Sequence, residues 1–218
     1  MAGLKHVIIT GGTGGFGTAI AARFQEKGWD VTALGRNDLD LMNGKEVKDF
    51  FSGRNYDLLI CGAGSIRDQP IYRMDANVWD DVFELNFMAA KRCAEHAIKR
   101  MAEYGNGHVI FISSHAAIHP GVGQAAYATA KSALLGLTKD LAAAFGGMGV
   151  RVNTILPGFM DTPMTGAISP ERRQTILGQH ALGKFNTVES AAEFLWFLQE
   201  HMACTSGQIF QLDSRPSF

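Results

Sequence analysis

The sequence predicts an α/β fold, a single domain with a doubly wound parallel sheet. Short apolar runs alternate with helical stretches along the chain, which is the pattern of a parallel sheet covered by helices on both faces. A run of glycines separates the first strand from the first helix. No linker, repeat or low-complexity tract divides the 218 residues, and we therefore expect one domain over residues 1–218.

The first elements form a βαβ unit. Residues 7–10 are a β-branched run that glycines end, residues 16–27 have a helical pattern, and residues 31–34 form a second strand. Asp40 and Leu41 are a candidate for a brief third strand. Because so few residues separate them from the second strand, we expect a fold that is shortened between the second and third strands.

The remaining elements alternate in the same way. They are helical residues 47–51, a buried strand at 58–61, a long helix at 78–104, a strand at 109–112, an alanine-rich helix at 125–145, a strand at 150–156, two helical segments within 170–198 and a last strand at 209–212. Glycine or proline follows several of the strands, which places their carboxyl ends in turns.

Composition and charge exclude several classes of protein. With 46% hydrophobic and 19% charged residues, the chain can bury a sizeable core and is not disordered. A net charge of −1 without a Lys/Arg cluster gives no basis for a nucleic-acid partner. The first six residues contain no apolar leader, and no apolar run reaches the about 18 residues of a membrane span. We therefore expect a cytoplasmic protein with no membrane partner.

The three cysteines, Cys61, Cys93 and Cys204, lie far apart in the sequence. They form no CxxC pair and show no Cys/His ligand spacing, so neither a zinc site nor a disulfide framework is predicted. We expect reduced, buried cysteines, as in cytosolic proteins.

Residues 10–17, Thr-Gly-Gly-Thr-Gly-Gly-Phe-Gly, fit the pattern TGxxxGxG between a strand and a helix. Glycines permit a tight turn and let the backbone approach a pyrophosphate, while the helix N-terminus offers free N–H groups and a positive dipole. This Rossmann-type arrangement predicts a bound dinucleotide, and the alternative is a glycine-rich turn without a ligand. No Gly-Lys-Ser/Thr follows, so the turn is not a P-loop.

Arg36 follows the second strand, where an acidic residue would bind the ribose diol of NAD. A guanidinium can instead pair with the 2′-phosphate of NADP. NADP(H) is therefore favoured, while NAD(H) stays an alternative because Asp38 is close enough in sequence to serve a ribose. A solvated Arg36 is the third interpretation.

Tyr127 and Lys131 are four residues apart in the alanine-rich helix and share one of its faces. An ammonium beside a phenol favours the phenolate, so we expect Lys131 to lower the pKa of Tyr127 from about 10. Such a phenol can donate and accept a proton near neutral pH. The pair alone is a weak signal, because Tyr and Lys are ordinary residues of helix surfaces.

With TGxxxGxG and YxxxK in this order, the chain resembles the short-chain dehydrogenase/reductase family from about His6 to Asp213. Further marks of the family are Asn86 in Phe-Glu-Leu-Asn-Phe, Ser114 thirteen positions before Tyr127, Asn-x-x-x-Pro-Gly at residues 153–158 and Ser-Gly-Gln at residues 206–208. Residues 157–165 and the run through 177 are very similar to the 3-oxoacyl-acyl-carrier-protein reductase subgroup.

The resemblance implies an NAD(P)H-dependent oxidoreductase that interconverts a ketone and a secondary alcohol, with a 3-oxoacyl thioester or related carbonyl as substrate. Tyr127 would protonate the carbonyl oxygen, and Ser114 would donate a hydrogen bond to it. Lys131 would hydrogen-bond the nicotinamide ribose, and Asn86 would hold a water that links Lys131 to solvent. The implied cofactor contacts, with no metal among them, are Gly11, Thr13, Gly14, Gly15, Phe16, Gly17, Arg36, Asp40, Leu41, Gly62, Ala63, Gly64, Tyr127, Lys131, Pro157, Gly158, Met160 and Thr162.

The chain departs from the family pattern in three places. Residues 61–64 are Cys-Gly-Ala-Gly in place of the usual Asn-Asn-Ala-Gly, and the helix between the second and third strands is nearly absent. Gly105 and Met148 occupy places where the carrier-protein reductases commonly have basic residues. Lys99, Arg100 and Lys139 are the candidates to replace them. An acyl carrier protein or a CoA thioester is the partner that the subgroup implies.

Residues 159–184 are expected to form a mobile lid over the substrate. Within and beside this segment, Phe159, Met164 and Phe185 either line an apolar pocket or pack the lid.

His115 and His119 are four residues apart, but Pro-Gly follows them and no third ligand is near in sequence. They are expected to be polar pocket lining or surface rather than metal ligands.

The chain is expected to assemble with copies of itself, and two alternatives to the 3-oxoacyl reductase function stay open. The family habit is a homodimer or homotetramer built on two long helices, and the alanine-rich helix suits close packing. The alternatives are a reductase of a free small ketone or aldehyde in a specialised pathway, and a catalytically silent dinucleotide-binding sensor. Loss of Tyr127 or Lys131 would indicate the sensor, and both are present.

Overall fold

The computed structural model describes residues 4–216 as six parallel strands with helices on both faces, which confirms the predicted α/β fold. The strands are β1 (His6–Thr10), β2 (Asp30–Leu34), β3 (Leu58–Cys61), β4 (Gly107–Ile112), β5 (Val150–Leu156) and β6 (Ile209–Gln211). Their order in the sheet is β2-β1-β3-β4-β5-β6. The order reverses between β1 and β3, and ligands of open parallel sheets bind beyond the carboxyl ends of the strands at such a point.

The helices alternate with these strands along the chain. They are α1 (Gly15–Glu26), α2 (Gly44–Phe51), α3 (Ala76–Phe83), α4 (Ala89–Tyr104), α5 (Ala125–Phe145), α6 (Pro170–Gly178) and α7 (Val188–His201). The long helix expected at residues 78–104 consists of α3 and α4 joined by a π-helical turn, Glu84–Met88. The bounds of α5 and β5 are those predicted from the sequence.

The sheet separates two apolar layers. On one face, helices α2, α4 and α5 pack Val47, Cys93 and Leu134 against the strands. On the other face, α1 and α7 contribute Phe24 and Leu195. Burying a large apolar side chain contributes about 1.5–3 kcal/mol, and the two layers therefore hold the carboxyl ends of the strands in fixed positions.

Asp40 and Leu41 do not form the expected third strand, and this prediction is wrong. The carboxylate of Asp40 accepts a hydrogen bond from the N–H of Met42 at 3.0 Å, and its carbonyl accepts one from the N–H of Asn43 at 3.0 Å. These bonds turn the backbone where a strand would extend it. As a result β2 is an edge strand, and the eight-residue α2 is the helix of the connection between β2 and β3.

Cys204 is exposed in the turn after α7, so the prediction that all three cysteines are buried is wrong for this one. The chain leaves the covered faces of the sheet there before it returns as β6. Cys61 and Cys93 are buried as predicted. Across residues 4–216, no helix is long and apolar enough to cross a membrane. The first three residues of the N-terminus considered above lie outside the described residues.

Candidate active site

A cavity of about 1290 Å³ lies beyond the carboxyl ends of the central strands. It exceeds the roughly 300–1,000 Å³ of typical small-molecule sites. The predicted site residues that line it are Gly11, Thr13, Gly14, Gly15, Phe16, Gly17, Gly62, Gly64, Asn86, Ser114, Tyr127, Lys131, Pro157, Gly158, Met160 and Thr162. The fold therefore brings the glycine turn and the Tyr/Lys pair to one cavity.

Some predicted cofactor contacts do not line the cavity, namely Arg36, Asp40, Leu41 and Ala63. Arg36 is exposed on the turn after β2. The preceding Gly35 packs against Thr13 of the cavity wall, which places Arg36 near the rim. The carboxylate of Asp38 accepts a hydrogen bond from the N–H of Gly35 at 2.7 Å and so fixes this turn.

The glycine turn is held by close backbone contacts. Gly11 has a φ of 69°, and a Cβ on Gly17 would lie 2.1 Å from the carbonyl oxygen of Gly11. Residues with side chains are excluded at both positions. Helix α1 begins here with no side-chain cap and no acidic residue in its first turn. Its first N–H groups and its dipole therefore suit an anionic group such as a pyrophosphate.

Lys131 is buried on α5, one helical turn from Tyr127. Its ammonium donates a hydrogen bond to the carbonyl of Ile112 at the end of β4, at 3.0 Å. The carbonyl of Lys131 accepts a hydrogen bond from the hydroxyl of Ser113 at 2.9 Å. These two bonds fix the helix against the strand. Burial lowers the pKa of Lys131 to about 8.

Tyr127 is buried as well, and burial raises its pKa above the ordinary value of 10.0. The hydroxyl of Ser114 opposes this rise without cancelling it. The predicted lowering of the Tyr127 pKa by Lys131 is therefore wrong for this arrangement, because desolvation outweighs the effect of neighbouring groups. At neutral pH the phenol is protonated, which is the form that donates a proton.

Ser114 follows β4 and caps a short 3₁₀ turn, His115–Ala117. Its hydroxyl oxygen accepts a hydrogen bond from the N–H of Ala116 at 3.2 Å. Accepting this bond leaves the hydroxyl hydrogen free to be donated. Ser114 can therefore cap the turn and still donate a hydrogen bond to an oxygen in the cavity.

Asn86 lies in the π-helical turn and is fully buried. Its amide nitrogen donates hydrogen bonds to the carbonyls of Ser65 at 2.9 Å and Val82 at 2.8 Å. Its amide oxygen has no hydrogen-bond partner among the residues described. A Cβ on Gly64 would lie 2.5 Å from this oxygen and 3.5 Å from the ammonium nitrogen of Lys131. Gly64 therefore leaves space between two buried polar groups.

Residues 159–184, the predicted lid, are held by aromatic contacts and by an ion pair. Phe159 and Met164 line the cavity, while Phe159 also stacks on Phe185 with ring centroids 4.4 Å apart. Arg173 of α6 forms an ion pair with Asp161, with one N···O distance of 2.7 Å. Phe159 and Met164 therefore form part of the pocket wall, and Phe185 packs against Phe159.

His115 and His119 both line the cavity, with ring centroids 4.9 Å apart. Burial lowers the pKa of His115 to about 4, helped by the charge of Arg215, so this imidazole is neutral at neutral pH. Within the part of the chain that the structure describes, no cluster of three His, Cys, Asp or Glu residues could hold a metal ion.

Two hydrogen-bonded pairs of polar side chains, each with at least one member lining the cavity, are missing from the sequence prediction. In the first, Gln124 donates a hydrogen bond to the carboxylate of Asp68 at 3.0 Å, within electrostatic range of Arg172. In the second, the Nε of Arg215 donates to the buried carboxylate of Asp213 at 2.7 Å. No local motif marks these residues, since the lid helix and the C-terminal turn reach the cavity only in the folded chain.

Comparison with known proteins identifies the family to which the chain is similar. The family model described as short chain dehydrogenase matches residues 45–173. A 3-oxoacyl-[acyl-carrier-protein] reductase of Rickettsia conorii is 32% identical over 91% of this chain and 90% of its own. The protein of the same name from Thermotoga maritima is 29% identical over 96% of each chain.

A solved structure is similar in fold. It is an oxidoreductase of the short chain dehydrogenase/reductase family from Burkholderia thailandensis, with a TM-score of 0.88 and 24% identity. The match covers 98% of this chain and 92% of the solved one. Nearly the whole chain therefore adopts the arrangement of strands and helices seen in that structure.

Proposed function

Because this chain belongs to the short-chain dehydrogenase family of oxidoreductases, we propose that it reduces the ketone of a 3-oxoacyl thioester to a secondary alcohol with NADPH. The observation that carries the proposal is the placement of Ser114, Tyr127 and Lys131 on the cavity that the glycine turn also lines. The names of the Rickettsia and Thermotoga relatives support the substrate class.

The cavity residues fit a nicotinamide dinucleotide, which supplies the hydride when bound. The uncapped N-terminus of α1 would hold its pyrophosphate. Arg36 would pair with the 2′-phosphate of NADP at the rim. The carboxylate of Asp38 accepts a hydrogen bond from the N–H of Gly35, so NAD stays the alternative cofactor and the preference for NADP depends on Arg36.

Tyr127 would donate its proton to the substrate oxygen. The raised pKa keeps the phenol protonated until negative charge develops on that oxygen. Ser114 would donate a hydrogen bond to the same oxygen and stabilise the developing charge. With a pKa of about 8, Lys131 is mostly charged at neutral pH and would stabilise the phenolate that remains.

Asn86 would help to return a proton to Tyr127. Its unpartnered amide oxygen lies across Gly64 from the ammonium of Lys131. A buried water needs two to four polar partners, and these two groups supply two of them. A water there would connect Lys131 to solvent.

A second candidate is the reduction of a free small ketone or aldehyde. Met148, at a place where the carrier-protein reductases commonly have a basic residue, is 52% exposed. Arg100, one candidate to replace that charge, is bonded to Glu103 at 2.7 Å. These observations favour a substrate without an acidic carrier. For either substrate, a cytoplasmic homodimer or homotetramer stays a prediction.

A substrate panel tests the proposal. Oxidation of NADPH and NADH is measured by absorbance with acetoacetyl-CoA, an acetoacetyl-carrier thioester and free ketones. We expect the thioesters to be reduced with oxidation of NADPH. With the same thioesters, NADH should be oxidised more slowly. Turnover of free ketones alone would favour the second candidate, and no oxidation with any substrate would contradict both.

A further inference from the structure

We propose that Arg215 determines substrate specificity by binding a second acceptor oxygen of the substrate, either a thioester carbonyl or a carboxylate. This inference rests on the proposed function, because it concerns the substrate of the same cavity. It assigns a role to the C-terminal turn, residues 213–216, which follows β6.

Arg215 lines the cavity that Ser114, Tyr127 and Lys131 also line. Its side chain is 10% exposed, and it lines the cavity together with His115, the residue that follows Ser114. The positive charge of Arg215 contributes to the lowered pKa of His115, so the guanidinium lies within electrostatic range of this residue. Arg215 is therefore near the predicted position of the reacting carbonyl.

The guanidinium is held by a buried network. The carboxylate of Asp213, which is fully buried, contacts Nε at 2.7 Å and Nη2 at 2.5 Å. The side-chain amide of Gln211 donates to that carboxylate at 2.8 Å and to the carbonyl of Arg215 at 2.7 Å. These bonds fix the guanidinium before any substrate binds, which lowers the entropy cost of recognition.

One nitrogen of this guanidinium is left for a ligand. Among residues 4–216, no hydrogen bond is formed by Nη1 of Arg215, whereas Nε and Nη2 both contact Asp213. Guanidinium groups donate only, so the complementary ligand atom is an acceptor oxygen. A 3-oxoacyl group has such an oxygen on its second carbonyl, and a 3-oxo acid has it on its carboxylate.

The charge of the site explains why an uncharged carbonyl oxygen is among the ligands proposed for Arg215. Burial acts to raise the pKa of Asp213, but hydrogen bonds from Gln211 and Arg215 outweigh it and lower that pKa. Asp213 is therefore ionised at neutral pH, and its pair with Arg215 is neutral overall. Recognition then depends on a directed hydrogen bond more than on net attraction.

The test compares substrates with and without the second oxygen. Ethyl acetoacetate and acetoacetate carry it as an ester carbonyl and a carboxylate, and hexan-2-one lacks it. The variants are Arg215→Met, Arg215→Lys and the double variant Asp213→Asn/Arg215→Met, which leaves no unpaired buried charge if the single variant fails to fold. Arg54→Met, an exposed arginine stacked over Phe50, controls for the loss of one positive charge.

We expect the ratio of kcat/KM for ethyl acetoacetate to that for hexan-2-one to fall about 10- to 100-fold in Arg215→Met and in the double variant. Arg215→Lys should recover part of the ratio, and the KM for NADPH should not change. A larger fall with acetoacetate would identify the carboxylate as the preferred oxygen. An unchanged ratio in the double variant would overturn the proposal.

A measurement without turnover separates this proposal from the proposed function. Acetoacetate is titrated calorimetrically into the complex of the enzyme with NADP⁺, which cannot reduce it. We expect its affinity to fall about tenfold or more in the double variant. If the wild type reduces no ketone, the proposed function fails while this binding result still decides the role of Arg215. Equal affinity in the wild type and the double variant, or no binding to either, contradicts that role.

Discussion

The ammonium nitrogen of Lys131 lies 5.8 Å from the centroid of the Tyr127 ring, and both side chains are buried on α5. Burial acts on the two groups in opposite directions. It raises the pKa of Tyr127 and lowers that of Lys131 to about 8. Tyr127 therefore holds its proton at neutral pH, while Lys131 loses its proton more readily than an exposed lysine does.

Lys131→Met should abolish turnover and stabilise the fold at neutral pH. The pKa of Lys131 is about 8 in the folded chain and about 10.4 in an unfolded one, so the unfolded chain binds more protons between these values. The wild type therefore gains about 3 kcal/mol of stability as pH rises through this window, and methionine cannot titrate. Denaturant unfolding at pH 7 and pH 10 measures the effect.

At pH 7 the Lys131→Met variant should be more stable than the wild type, and this advantage should disappear by pH 10. An advantage of the same size at both pH values would show that the pKa of Lys131 is not lowered by burial.

Gly64→Ala should destabilise the fold and lower kcat. The new methyl group would lie 2.5 Å from the amide oxygen of Asn86, inside van der Waals contact, and 3.5 Å from the ammonium nitrogen of Lys131. Overpacking of this kind costs about 1–3 kcal/mol, and it removes the space between the two polar groups. Urea unfolding and steady-state kinetics check both effects.

Gly178→Ala is the matched control for this variant. Gly178 is the last residue of α6 and a Cβ there meets nothing within 4 Å, so alanine should leave the stability unchanged or raise it slightly. Equal stability of the two alanine variants would refute the role of Gly64 as a spacer.

Arg36→Ala should raise the KM for NADPH about 10- to 100-fold, because one charge-assisted pair with the 2′-phosphate is lost. The KM for NADH should not change, since NADH has no phosphate at that position. Arg54→Ala serves as the control, because Arg54 is exposed over Phe50 and should affect neither constant. An unaltered KM for NADPH in Arg36→Ala would remove the basis for NADP preference.

Elements with a local signal were predicted well. The bounds of α5 and β5 follow from apolar periodicity, and the glycine turn follows from its place between a strand and a helix. The π-helical turn was not predicted, because apolar periodicity does not reveal a side-chain hydrogen bond. In this turn the amide of Asn86 donates such a bond to the carbonyl of Val82. The prediction of a strand at Asp40 was wrong, because hydrogen bonds within a local turn compete with strand pairing.

The candidate site shows the same division. Tyr127 and Lys131 were found by their spacing and Ser114 by the resemblance to the family, and all three line one cavity. Arg215 and Asp213 were missed, because their relation to the cavity depends on where the chain after β6 returns. The direction of the Tyr127 pKa was also mistaken, since spacing along a helix does not show how dry the site is.

Tyr127 is proposed to donate the proton in ketone reduction. Tyr127→Phe removes one oxygen and keeps the ring, so the buried packing should be preserved. We expect turnover of acetoacetyl-CoA with NADPH to fall by at least about 10²–10⁴-fold, while NADPH binding, measured by its fluorescence, is unchanged. Turnover in Tyr127→Phe at the wild-type rate would show that Tyr127 is not the proton donor.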